Sequence, residues 1–344
     1  MAEPVEIARE ILAGEEAWIV GGAVRDELLR RPVLDLDVAC REPERAARAY
    51  ARRSGAVPFP LSERHGAWRV AVADGRTVDF TPLRDRIEAD LETRDFTINA
   101  IARPLAGGEL VDPFAGLADL EARVLRAVGA RVFEDDPLRL LRAARLEDEL
   151  GFLLERRTER LVREHASLVA RPAGERILAE LRRLSARGWT RLADLGLLEG
   201  LGGTLDGAER AAGIDSPDYR LVVFLRDAVG QLPISRQLRR YAIALLRSDP
   251  PEDGSPRAIH RFRRQTEPWA IEALAAHGRL DLEAELRTAR ERDPAEPLVR
   301  GDELGLEPGP EIGRLLELIE EERAAGTIST KEEALGLARR HAAR

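Results

Sequence analysis

Two aspartates on alternate residues, in Leu34-Asp35-Leu36-Asp37-Val38, carry the strongest chemical signal in this chain. Strand side chains alternate between faces, so Asp35 and Asp37 project to one side while the leucines and Val38 make the other side apolar. Two carboxylates held together repel each other, and a divalent cation between them is the usual remedy. Upstream, Ile19-Val20-Gly21-Gly22-Ala23-Val24-Arg25-Asp26 reads as a strand end, a Gly-Gly turn and a helix start. Free N–H groups at such a turn suit phosphate. Alone, each signal is ordinary: a tight turn, or a solvated strand edge. A phosphate cradle followed by a metal-binding acid pair on a half-buried strand describes a nucleotidyl-transfer site.

Two further clusters follow. Thr93-Arg94-Asp95-Phe96-Thr97-Ile98-Asn99-Ala100 sets an arginine and an acid before an apolar, helix-starting segment. In the run from Phe133 to Arg145, a helix opened by Pro137 would carry Asp136, Arg139 and Arg142 three apart on a slowly drifting face. Asp136 then offers an acceptor beside the donor fork of Arg139, a pair able to hydrogen-bond the Watson–Crick edge of a base. The competing reading is an i,i+3 ion pair on a solvated helix.

The elements that must position these residues change character along the chain. Strand patterns fall in the first third, at Ala17–Val20, Asp35–Ala39, Ala67–Val72, Thr77–Phe80 and Glu109–Val111, with a hairpin turn at Ala73-Asp74-Gly75-Arg76. After Asp119 the pattern is helical throughout, including Pro137–Leu150, Arg157–His165, Gly174–Ser185, Thr190–Leu198, Tyr219–Ala228 and Lys331–Arg340. The expected fold class is α+β, a small α/β head followed by an elongated helical body.

At 344 residues the chain has room for two or three domains. Lys331 is the only lysine among 54 basic residues, so the cations are arginines, whose rigid fork suits phosphates and base edges. A net charge of −8 argues against indiscriminate nucleic-acid binding but leaves room for a local basic surface. One cysteine, Cys40, excludes an internal disulfide and a cysteine zinc site. No apolar run reaches membrane-spanning length and Met1–Ala13 reads as an amphipathic helix, which predicts a cytoplasmic protein with no membrane partner.

Taken in order, the segments resemble the class II tRNA nucleotidyltransferases (CCA-adding enzymes) and bacterial poly(A) polymerases, of the polymerase-β-like nucleotidyltransferase superfamily. The matching runs are Gly21–Asp26, Asp35–Asp37, Arg94–Ala100, Asp112–Leu120, Asp135–Arg139 and Gly174–Ile177, which span about the first 180 residues. The resemblance implies a polymerase-β-like head (1–112), a helical neck for base recognition (113–175), a body (176–265) and a tail that binds tRNA (266–344). It implies that Asp35 and Asp37 hold two Mg²⁺ ions, with Asp79 a further carboxylate nearby. Gly21, Gly22 and Arg25 would contact the triphosphate, and Arg94 and Asp95 the ribose. Asp136 and Arg139 would select cytosine or adenine, supported by Arg142 and Arg145. Asp112–Leu120 matches the family's hinge. The implied partners are the tRNA 3′ end, CTP and ATP. Arg236, Arg239, Arg240, Arg261, Arg263 and Arg264, with Arg247 and Arg257, form a candidate tRNA-backbone surface; a solvated helix face is the alternative. His65 is read as structural.

Three departures shape the activity expected. Thr93 stands where the family has a first arginine, and Asp135 where a glutamate is common. The interval Pro82–Thr93 is short for the lever that switches a site from CTP to ATP, with Arg84, Asp85 and Arg86 its candidates. The leading reading is CCA addition; the alternatives are a CC-adding enzyme, a poly(A) polymerase, and a silent RNA-binding protein on the same fold. An intact Asp35/Asp37 pair opposes the last. A dinucleotide-binding fold fails because the glycines lack the G-x-G-x-x-G spacing.

Overall fold

The computed structural model describes residues 2–62, 66–72, 75–83, 85–207, 213–292 and 296–342. The hairpin residues Ala73 and Asp74, His65 and the candidate lever residue Arg84 lie outside them. Six strands, β1 (Ala17–Val20), β2 (Asp35–Cys40), β3 (Val57–Ser62), β4 (Ala67–Ala71), β5 (Thr77–Pro82) and β6 (Ala102–Pro104), form a mixed sheet in the order β3-β4-β5-β2-β1-β6. Within this sheet, among the described residues, β2 and β5 are the one parallel pair.

β3 and β6 are absent from the strands expected from sequence, and the reason is proline. Pro58, Pro60 and Pro104 break the strand pattern, yet β3 and β6 are the sheet's two edges, where a missing N–H loses no ladder bond. The segment expected at Glu109–Val111 contributes only a bridge from Val111 to Ala102. The helical region also contains a short parallel pair, β7 (Val124–Leu125) with β8 (Leu153–Leu154), too short to show as a pattern.

In chain order the helices of the first 200 residues are α1 (Ala2–Ile11), α2 (Gly22–Leu28), α3 (Pro43–Ser54), α4 (Ile87–Glu92), α5 (Gly116–Ala122), α6 (Val132–Asp135), α7 (Leu138–Leu150), α8 (Arg156–Glu164), α9 (Gly174–Leu181), α10 (Ala186–Asp194) and α11 (Leu197–Gly200). α3 lies against β3, β4 and β5, and its Tyr50 ring packs at a tilt against Phe80, with centroids 5.8 Å apart. That sheet face buries Leu36, Val38, Val70, Val78 and Phe80. The opposite face carries Asp35, Asp37 and Asp79. Its β1 end is covered by α4, where Ile87 and Leu91 pack with Val20, Ala39, Ala100 and Ala102.

The chain divides into two compact units, Met1–Gly200 and Leu201–Arg344, the division falling inside the segment expected as the body. The second unit is helical: α12 (Pro217–Leu225), α13 (Arg236–Leu246), α14 (Pro256–Thr266), α15 (Ala270–Ala276), α16 (Glu283–Glu291), α17 (Pro310–Ala324) and α18 (Lys331–Ala342). Serine side chains cap α10, α12, α13 and α14, each accepting an N–H of the first turn.

Candidate active site

The hydrophobic alternation of β2 aims Asp35 and Asp37 the same way. Asp35 accepts a hydrogen bond from the Thr77 hydroxyl at 2.7 Å. Among the described residues no donor reaches Asp37. Burial pushes its carboxyl up to about 6; Asp79 and Asp35 add to the rise, and the Arg94 guanidinium opposes it. Gly21 makes this approach possible, with φ 70° and a position where a Cβ would stand 3.3 Å from Asp37 Oδ2 and 3.4 Å from Arg94 Nη1. A half-buried carboxylate with no donor, two residues from a second carboxylate on the same face, fits a hard divalent cation.

Asp79 lies beside Asp37 in the β2–β5 register. Arg69 on β4 takes both its oxygens, each at 2.7 Å. Asp79 therefore faces the acid pair with its charge already balanced. Arg69 was not singled out from sequence; its only signal there is a cation inside an otherwise apolar strand.

A cleft of about 590 Å³ gathers Asp35 and Asp37 with Gly21, Gly22, Arg25, Arg94, Asp95, Asp136, Arg139, Arg142 and Arg145. Asp79 is the one expected head or neck residue outside its lining. Arg25 is buried, held by Asp26 at 2.8 and 2.9 Å and donating to Asn99 Oδ1 at 2.7 Å. Arg94 leans on Asp90 at 2.6 Å. Asp95 is enclosed: Phe96 N–H and the Asn99 amide donate to one oxygen at 2.8 and 2.9 Å, and Arg142 to the other at 2.7 Å. Burial disfavours its charge, but Arg142 and these donors overcome that and hold the carboxyl below the usual range. Arg142 also faces Glu180 at 3.7 Å, and buried Arg145 bonds Glu180 and Glu149. The Asp95–Arg142 pair thus ties the head to α7, and Arg142 and Arg145 tie α7 to α9 through Glu180.

The expected helical pair differs in detail. Asp136 precedes α7 with extended backbone (φ −144°, ψ 99°), and its carboxylate accepts the Leu138 N–H at 3.2 Å. The ion pair between Asp136 and Arg139 is not formed. Arg139 instead donates to the Thr93 and Val132 carbonyls at 2.5 and 3.3 Å, and Asp136 receives Arg176 at 2.8 Å. Pro137 causes the offset: the helix begins one residue after it, leaving Asp136 free to turn into the cleft. Arg176 lies in the matching run Gly174–Ile177, but no local pattern connects it to a residue 40 positions earlier.

The Asp112–Leu120 run is a tight anchor. Asp112 accepts the Gly116 and Leu117 N–H groups at 2.7 and 2.9 Å. Gly116 sits so close to Thr97 that a Cβ would fall 2.2 Å from its carbonyl oxygen. Buried Asp119 accepts the Thr97 hydroxyl at 2.7 Å and Arg126 at 3.0 Å. These contacts hold the turn that presents Asp95 and Asn99.

The arginines of the second unit separate into two groups. On α14, Arg257 and Arg261 pair with Glu321, Arg264 with Glu317, and Arg263 with Glu267. These charges are spent on α17 and the end of α14, which weakens the expected phosphate role of Arg261, Arg263 and Arg264. On α13, Arg236, Arg239 and Arg240 are exposed, with no ion pair among the described residues, while Arg247 meets Asp227 at 2.9 Å.

A sheet bearing paired carboxylates beside an arginine-rich cleft is the architecture of a nucleotidyl-transfer site. The family model described as the Poly A polymerase head domain matches residues 17–126. An A-adding tRNA nucleotidyltransferase of Deinococcus radiodurans is 34% identical across 95% of this chain and 95% of its own. A CC-adding tRNA nucleotidyltransferase of Geobacter sulfurreducens is 47% identical over 50% of this chain, which covers only 40% of that relative's length. The crystal structure of the Bacillus stearothermophilus CCA-adding enzyme in complex with CTP superposes with a TM-score of 0.73 at 25% identity, covering 100% of this chain and 99% of that one. The chain belongs to the class II tRNA nucleotidyltransferase family. Nucleotidyltransferases of this family use divalent metals. Among the described residues, no helix is long and apolar enough to cross a membrane.

Proposed function

We propose that this chain transfers CMP and then AMP from CTP and ATP to the 3′ end of tRNA, with no nucleic-acid template, to build or repair the CCA terminus. One observation carries the reading: a single cleft joins the acid pair, the Gly-Gly turn and the Asp136/Arg139 donors and acceptors. The terminal 3′ oxygen bonds to the α-phosphorus as the bond to the leaving pyrophosphate breaks. Asp35 and Asp37 would hold two Mg²⁺ ions, which when bound activate the attacking hydroxyl and neutralise the leaving group. Gly21, Gly22 and Arg25 receive the triphosphate, and Arg94 faces the ribose. Asp95 acts chiefly through Arg142 and Asn99, which it positions. An exocyclic amine, present on C and A and absent from U, donates to Asp136, while the neighbouring ring nitrogen accepts from Arg139. To read a base, Asp136 shares or exchanges its contact with Arg176.

The domain reading stays as head 1–112, neck 113–175, body 176–265 and tail 266–344. Of the candidate backbone-binding arginines, Arg236, Arg239 and Arg240 are the best supported, since they alone among the six are free of acid partners among the described residues.

A second reading, a CC-adding enzyme, is favoured by α4. It takes up half of Pro82–Thr93 and buries Ile87 and Leu91, leaving Asp85 and Arg86 as the exposed described residues ahead of the helix. Little chain is then free to reshape a pocket for ATP. The test supplies Mg²⁺ and tRNAs ending before C74, C75 or A76 with CTP, ATP or both, and reads products on a sequencing gel. AMP transfer onto a tRNA ending in C75 excludes the CC-only reading; CMP transfer without it overturns the proposal of full CCA addition.

A further inference from the structure

The register of the sheet places an apolar ledge on the same face as the acid pair. Phe59 pairs with Arg69, Arg69 with Asp79, and Asp79 with Asp37, so these four side chains form one row across β3, β4, β5 and β2. Val57, Ala71, Thr77 and Asp35 form the next row. Directly paired residues share a sheet face. The opposite face is covered by α3, but this one is open at the β3 edge, where Val57 is 71% and Phe59 41% exposed. Val57 and Phe59 therefore turn apolar surface to solvent side by side on an edge strand. They do not invite another strand, because Pro58 and Pro60 remove outward N–H donors from that edge.

In-line phosphoryl transfer sets the attacking and leaving oxygens on opposite sides of the phosphorus. The nucleotide cleft takes in the acid pair, the Gly21–Arg25 turn that follows β1, Arg94 and the start of α7, and none of its lining comes from β5, β4 or β3. The attacking hydroxyl must then arrive from the other side, over β5, β4 and β3. Three strand spacings separate β2 from β3, roughly 14 Å, which an unpaired 3′ end bridges in a few nucleotides.

We propose that Phe59, flanked by Val57, is a stacking platform for the unpaired 3′ bases of the acceptor RNA. The proposal rests on the tRNA-extending function above and names the path by which that substrate enters. The ledge is continuous with the catalytic face, and an exposed aromatic ring stacks any base without regard to sequence. Arg69, two-thirds buried between Phe59 and Asp79, gives both of its bonded donors to Asp79 and so keeps that carboxylate oriented beside the platform.

Two measurements test it. Phe59→Ala should raise the KM for tRNA roughly five- to tenfold, the low end for one lost stacked base, with the KM for CTP unchanged. Phe59→Leu should recover little of the loss, since it restores apolar area without a flat ring. Phe59→Trp places a reporter on the ledge: its fluorescence should be quenched by tRNA carrying an unpaired 3′ end and not by the same tRNA with that end trimmed away. Equal quenching by both RNAs, or an unchanged tRNA KM in Phe59→Ala, overturns the platform. Wild-type protein that extends no tRNA would instead defeat the functional reading, so the two failures are distinguishable.

Discussion

Replacing Asp37 with asparagine separates the cost of the site from its function. The carboxyl rises from 3.8 to about 6 because the fold half-buries it beside Asp79 and Asp35. At about 1.36 kcal/mol per pH unit, that rise corresponds to an upper limit of about 3 kcal/mol lost to the folded, metal-free protein at neutral pH. Asp37→Asn keeps the shape under Gly21 and removes the charge, so the metal-free variant should be more stable than wild type. For a unit of this size the gain is up to roughly 6–12 °C in Tm, less where the site relaxes. The sign follows from proton counting. Between 3.8 and 6 the folded state binds more protons than the unfolded state, so wild type loses this increment as pH rises through that window and the variant does not. The difference between the two melting curves should therefore be largest above about pH 6 and close near pH 4. Added Mg²⁺ should raise the Tm of wild type only, and Asp37→Asn, like Asp35→Ala, should not incorporate nucleotide. Scanning calorimetry in chelator across pH, with and without Mg²⁺, makes the measurement. A variant less stable than wild type near pH 7.5, or a gap indifferent to pH, would refute the reasoning; wild-type turnover would refute the metal assignment.

Three further outcomes are expected. Arg139→Ala should let UTP or GTP compete, a lost bidentate contact being worth about 1–3 kcal/mol of discrimination; misincorporation assays on tRNA ending before C74 would show intact preference if the base is read elsewhere. Arg176→Ala should free Asp136, weakening discrimination between C and U by a smaller factor than Arg139→Ala while leaving tRNA affinity alone; a change confined to tRNA affinity would reassign Arg176. Gly116→Ala forces a Cβ onto the Thr97 carbonyl and should destabilise the first unit by about 1–3 kcal/mol with a disproportionate loss of kcat, checked by urea titration beside single-turnover rates; neutral stability would mean the anchor relaxes freely.

Alternation and composition were enough to place Asp35 and Asp37 on one face of a strand, because that periodicity is a property of the backbone and needs no partner. The Gly21–Gly22 turn was equally legible, and the change from strand to helix patterns near Asp119 divided the chain into a mixed head and a helical remainder. Prolines in β3 and β6 hid the sheet's edges, since whether a proline is tolerated depends on which side of a strand has a neighbour. Sequence order likewise could not say that Arg69 would neutralise Asp79, that Arg176 rather than Arg139 would meet Asp136, or that α17 would absorb the arginines of α14. Arg69 and Asp79 are only ten residues apart across a hairpin, but their meeting depends on its register; the other pairings join residues 40 or more apart, and an arginine reaches whichever acid packing brings within a few ångströms. Residue types and local spacing therefore determined which groups could do chemistry here; only the tertiary packing decided which of their charges remain free to do it.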